Sequence, residues 1–169
     1  RDVGRRVDAR ILGVLDRELE RWREVDPALD EPLGALRALI AAGGKRLRPA
    51  FCHWAFVGAG VDPEDSRVVD AGAALELLHT FALVHDDIMD NAPLRRGNAT
   101  VHEKWSSSVA ILAGDVMQIK STELMMQVDD KILRRTLELF NTTATEICEG
   151  QQYDMDFEKR ENVSLEEYI

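Results

Sequence analysis

A chain of 169 residues, 45% of them hydrophobic, is long enough to bury one sizeable core and short enough to form a single domain. Its formal charge of −10 argues against nucleic acid or an anionic membrane as a partner. The uncharged run from Leu77 to Val84 is far too short to span a bilayer, so stable membrane insertion is not expected. Aromatic residues are scarce while Leu, Ala, Glu and Arg abound, which favours helix. Cys52 and Cys148 lack metal-ligand spacing, and no signal peptide is visible. They read as reduced core thiols of a cytoplasmic protein.

From Asp2 to Val25, apolar Val3, Val7, Ile11, Val14 and Leu19 recur at helical spacing and predict an amphipathic helix. Pro27 and Pro32 punctuate a turn, and a second helix carrying Leu33, Leu36, Leu39 and Ile40 stops at Gly43-Gly44. The stretch GGKRLRP follows, placing Lys45, Arg46 and Arg48 just ahead of the apolar run from Ala50 to Val57. Cations at a helix start oppose the dipole. An anion held between the glycine turn, the helix N-terminus and these side chains accounts for them, as does a solvated basic turn after a glycine C-cap.

Asp62-Pro63 is expected to open a long central helix, with Asp62 as N-cap and Asp65 in the capping-box position. That helix is apolar nearly all round from Ala71 to Val84, interrupted by Glu76 and His79, and is expected in the middle of a bundle. It ends in Asp86, Asp87 and Asp90 before Pro93. At about 100° per residue, Asp86 and Asp90 share a face with His79, and Asp87 lies about a quarter-turn aside. Three carboxylates near a helix C-terminus repel one another and the dipole. A bound Mg²⁺ would relieve them, since it takes one or two carboxylates together with substrate phosphates. Arg95 and Arg96 suit phosphate oxygens. A solvated acidic helix end with a basic loop is the plainer alternative.

Downstream, Thr100 and Glu103 are expected to cap a short turn. A helix follows from about Ser107 to Val128, with Ile111, Leu112, Met117 and Leu124 as core candidates and Asp115 hydrogen-bonded to a neighbouring helix. A further amphipathic helix runs from Asp130 to Tyr153, ending within EGQQYDMDF, where Gln151 and Asp154 lie one turn apart. Ser164 to Glu167 forms a capping box. The sequence reads as all α.

Taken together, GGKRLRP, HTFALVHDDIMDNAPLRRG, AGD and GQQYD, in this order, resemble the trans-prenyl diphosphate synthases from about Leu33 onward. The resemblance implies an isoprenoid-synthase helical bundle around a deep central cavity, usually a homodimer. It implies Mg²⁺-dependent condensation of isopentenyl diphosphate with an allylic diphosphate. Carried over position by position, Asp86, Asp87, Asp90 and Arg95 are the catalytic set, with Asp86 and Asp90 as Mg²⁺ ligands. Lys45, Arg48, His79 and Arg96 hold isopentenyl diphosphate, and Arg95, Gln151 and Asp154 face the allylic diphosphate. In this family a bulky residue just upstream of DDxxD limits product length. Phe81 with the small Ala82 beside it resembles the geranylgeranyl type more than the farnesyl type. The helical wheel places Phe81 nearly opposite the aspartates, which equally fits a side wall or a core role.

Neither the family's second aspartate-rich motif nor the Lys-Thr pair that precedes it occurs here. The expectation is therefore the N-terminal portion of a longer enzyme, inactive alone. Two other readings stay open, a class I terpene cyclase, which also uses DDxxD, and a non-catalytic regulatory subunit of a prenyl synthase.

Overall fold

The structure is a computed structural model that describes residues 2–168. It is all α apart from one tiny hairpin, as the sequence reads. Helix α1 (Asp2–Val25) leads through a 3-10 turn at Pro27–Leu29 into α2 (Asp30–Ala41). Then come α3 (Leu47–Gly58), α4 (Ser66–Met89), the hairpin β1 (Leu94–Arg95) and β2 (Asn98–Ala99), and α5 (Val101–Lys104). Helices α6 (Ser107–Met125), α7 (Asp130–Phe157) and α8 (Leu165–Tyr168) complete the described chain.

The apolar periodicity of α1 and α2 becomes the first core layer. Val7, Ile11, Leu15, Leu33, Leu36 and Ile40 are all but inaccessible, and burying each side chain of this size contributes about 1.5–3 kcal/mol. Helix α4 is packed against α6, α3 and α1. By length and composition alone it could cross a membrane, but most of its apolar stretch is buried in the protein. Its small residues allow this close approach. A Cβ on Gly72 would stand 3.2 Å from the Val7 side chain and 3.4 Å from that of Pro49, where three helices meet.

Several local expectations give way to the structure. Asp62 does not cap α4. Asp65 is the N-cap, accepting from the Arg67 amide, while Asp62 accepts from the Glu64 amide in the preceding turn. Thr100 sits at the N-cap of α5, but its hydroxyl donates to the Ala92 carbonyl (2.8 Å) instead of capping the helix. Ile111 and Leu112 are exposed, and the core of α6 is Ala110, Ala113, Gly114, Met117 and Leu124. Asp115 is exposed rather than bonded to a neighbouring helix. Cys148 is exposed too, so only Cys52, half-buried with its thiol pushed up by burial, approaches the expected core thiol. Helix α7 runs on to Phe157, whereas the capping box at Ser164 and Glu167 forms as read, with reciprocal bonds of 3.0 and 3.3 Å.

The α4–α6 contact hinges on Gly114. A Cβ there would fall 2.1 Å from Nε2 of His85, whose ring meets the Ile111 carbonyl at 3.2 Å and the edge of Phe81 at 4.7 Å between centroids. Gly114→Ala adds helix propensity of about 1 kcal/mol but forces the imidazole out of its seat. The expected net result is destabilisation of about 1–3 kcal/mol in chemical denaturation, largely relieved when His85→Ala is added.

Candidate functional site

Two polar loops meet the C-terminal half of α4. The first, Ala42 to Arg46, leaves α2 through Gly43 in left-handed backbone (φ 79°). The second is the hairpin, whose Arg96-Gly97 turn has φ values of 54° and 80°, the geometry of a tight primed turn. Between the loops and α4 lies a cavity of about 370 Å³. Leu39, Ile40, Leu83 and Val101 contribute apolar wall, and Lys45, Asp87, Arg95 and Arg96 contribute charge.

Arg95 organises the acidic end. Its Nε donates to Oδ1 of Asp87 (2.7 Å) and its Nη2 to Oδ2 of Asp86 (2.8 Å). The three aspartates are therefore unequal. The Asp87 side chain is only 5% exposed and serves as the buried anchor of Arg95, while Asp86 is partly open and Asp90 exposed. Removing one partner of such a buried pair costs about 3–5 kcal/mol.

Asp90 has its carboxyl raised above the ordinary range. Local desolvation contributes most, followed by Asp86, Glu158 and Asp154, with only Arg95 opposing. Asp154, exposed on α7, is thus felt at the acidic end of α4. Glu158, one turn further, joins it without having been singled out in the sequence. Gln151 is half-buried, and its side-chain nitrogen has no hydrogen-bond partner. A carboxylate cluster with one arginine as counter-ion has the donor chemistry for a divalent cation. Among the described residues, no three acidic, His or Cys side chains converge to hold a metal by themselves.

His79 lies on the cationic side. Its basicity is depressed to about 4, first by burial and then by Arg48, Arg96, Arg95 and Arg46. Four arginines, from the two loops and the first turn of α3, are thus felt at one imidazole. Lys45 and Arg48 are exposed at this site, with Lys45 on the cavity wall. Arg46 differs from its neighbours. It is buried and bonded to Asp8, to Glu76 and to the Ile40 carbonyl, so it is not an open anion-binding cation. The sequence signal for this was Glu76, a carboxylate in an apolar helix that had to find a partner. Phe81 and Ala82 are half-buried, with the Phe81 ring against that of His85.

A sequence profile described as polyprenyl synthetase matches residues 31–169. The chain is 41% identical, over 170 residues, to a geranylgeranyl diphosphate synthase of Methanosarcina mazei, with 94% of this chain and 52% of that protein covered. It is 38% identical to a geranylfarnesyl diphosphate synthase of Natronomonas pharaonis, covering 89% of this chain and 51% of that one. The solved geranylgeranyl pyrophosphate synthetase of the archaeon Geoglobus acetivorans superimposes with a TM-score of 0.87 at 34% identity. That match covers 99% of this chain and 52% of the other. The chain spans about half the length of these relatives.

The His79 environment has a measurable consequence. Between about pH 6.5 and 4 the unfolded chain takes up a proton that the folded histidine refuses, so this residue makes stability rise with pH across that window. In an NMR titration the His79 imidazole is expected to have its midpoint near 4 in the free protein. Inorganic pyrophosphate, by offsetting the arginines, is expected to move that midpoint upward. A midpoint near 6.5 without ligand would contradict the arrangement.

Proposed function

This chain belongs to the polyprenyl synthetase family, and from that premise we propose that its site condenses isopentenyl diphosphate with an allylic diphosphate. The observation that carries the reading is the meeting of an acidic and a cationic half at the end of α4. Asp86 and Asp90 lie beside Arg95, and Arg48, Arg95 and Arg96 converge on His79. One half suits a metal-bound diphosphate, the other a diphosphate bound without metal.

In this reading Asp86 and Asp90 are the ligands of Mg²⁺, which when bound offsets the charge that develops on the departing diphosphate. Arg95, released from Asp86 but still anchored to Asp87, turns its free guanidinium edge to the allylic diphosphate. Gln151 and Asp154 border that group from α7. Lys45, Arg48 and Arg96 take the phosphate oxygens of isopentenyl diphosphate. His79, neutral at physiological pH, offers them an N–H donor without adding charge. Holding the double bond of the second substrate against the allylic carbon supplies proximity. Apolar walls keep water away from the cationic carbon. No protein nucleophile is needed.

The product is proposed to be geranylgeranyl or farnesyl diphosphate, with Phe81, beside the small Ala82, limiting chain growth. We place the protein in the cytoplasm as a homodimer.

The test is an assay of the full-length protein with Mg²⁺, isopentenyl diphosphate and each short allylic primer, following pyrophosphate release and product length. Condensation is expected only when both substrates are present. Release from the allylic substrate alone would indicate a cyclase instead. Asp86→Ala is expected to lower kcat by about 10²–10³-fold, the scale of losing one transition-state electrostatic partner. Phe81→Ala is expected to shift products to longer chains, and an unchanged distribution would remove Phe81 from that role.

A further inference from the structure

Arg46 stands between Lys45 and Arg48 in sequence, yet its side chain goes the opposite way. It occupies the N-cap position of α3 in left-handed backbone (φ 50°), which a non-glycine residue adopts at a cost. That conformation sends the guanidinium inward, leaving its side chain 8% exposed. There Nε donates to Oδ1 of Asp8 on α1 (2.6 Å), Nη1 to Oε1 of Glu76 on α4 (2.7 Å), and Nη2 to the Ile40 carbonyl at the end of α2 (3.0 Å). One side chain therefore ties three helices to the loop that carries Lys45 and to the start of α3, whose first turn carries Arg48.

Stability alone does not ask for this arrangement, because apolar residues of similar volume serve a core as well as a buried ion pair. Its location supplies a reason. Glu76 is one turn ahead of His79 on α4, so the Arg46–Glu76 bond sets the loop in register with His79. The loop is also clamped from the other side. A Cβ on Gly44 would fall 2.9 Å from Nη1 of Arg46 and 3.0 Å from Nη1 of Arg96, so the Gly44 backbone lies against both guanidinium groups.

We propose that the Asp8–Arg46–Glu76 clasp is a positioning device that holds Lys45 and Arg48 in register with His79 and Arg96 for the diphosphate of the non-allylic substrate. It rests on the reading that these four residues bind isopentenyl diphosphate. Position and charge predict opposite signs here. Glu76→Gln and Asp8→Asn each remove a negative charge near the cationic half. By Coulomb attraction alone they strengthen anion binding, and through lost positioning they weaken it.

The experiment is calorimetric titration of the full-length protein with inorganic pyrophosphate in the absence of metal, with thermal melting to confirm folding. Glu76→Gln is expected to weaken binding by about tenfold, the scale of losing a residue that orients a ligand-binding group. Asp8→Asn, at the more open end of the clasp, is expected to weaken it less and carries the test if Glu76→Gln does not fold. In the condensation assay the KM for isopentenyl diphosphate rises while that for the allylic substrate holds, a split that a general loss of stability would not produce. Unchanged or tighter pyrophosphate binding in a folded clasp variant overturns the proposal. Lys45→Ala distinguishes the two levels. If it leaves pyrophosphate binding intact, the substrate assignment fails and takes the clasp with it. If it abolishes binding while Glu76→Gln does not weaken it, the clasp alone fails.

Discussion

Buried carboxylates on α4 have to be paired, and the arginines that pair them come from the two loops of the site. Glu76 draws in Arg46 from the loop after α2, and Asp87 draws in Arg95 from the hairpin after α4. A helix buried nearly all round could have been apolar throughout at no loss of stability. Carrying charge instead, it acts as a template that sets both loops at fixed positions along its length. The cavity between the loops and the arrangement of open charges around it follow from these two bonds.

The remaining charges are separated by sign along the same helix. Towards its middle His79 lies among arginines and stays neutral. At its C-terminal end Asp86 and Asp90 gather with Asp154 and Glu158 where the helix dipole is itself negative. Neither half is electrostatically content in the free protein. The cationic half gains from an anion and the acidic half from a cation, and the proposed pair of diphosphates, one with metal and one without, would satisfy both.

Backbone strain is concentrated in the same place. The three described non-glycine residues with positive φ, Arg46, Asn91 and Arg96, all lie in the segments that frame the site. Left-handed backbone at such residues costs free energy and persists where surrounding contacts fix it. Here those contacts are the Arg46 clasp, the turn after α4 and the hairpin ladder. On another side of α4, His85 packs it against α6 at Gly114.

Much of this was legible in the chain of residues. Helix identity, the central place of α4 and the family resemblance all rest on local spacing. Local spacing survives folding because helix periodicity does not depend on what the helix meets. What the sequence could not assign was the destination of individual side chains. Lys45, Arg46 and Arg48 look equivalent in GGKRLRP, yet one is buried and two are open. The choice was made by Asp8 and Glu76, 38 and 30 residues away in the chain. Asp87 likewise reads only as a carboxylate a quarter-turn aside from the other two and becomes an anchor because Arg95 folds back onto it. Periodicity states which face a residue occupies. The partner of a buried charge is decided only when distant segments are packed together, because the low-dielectric interior leaves it no other solution.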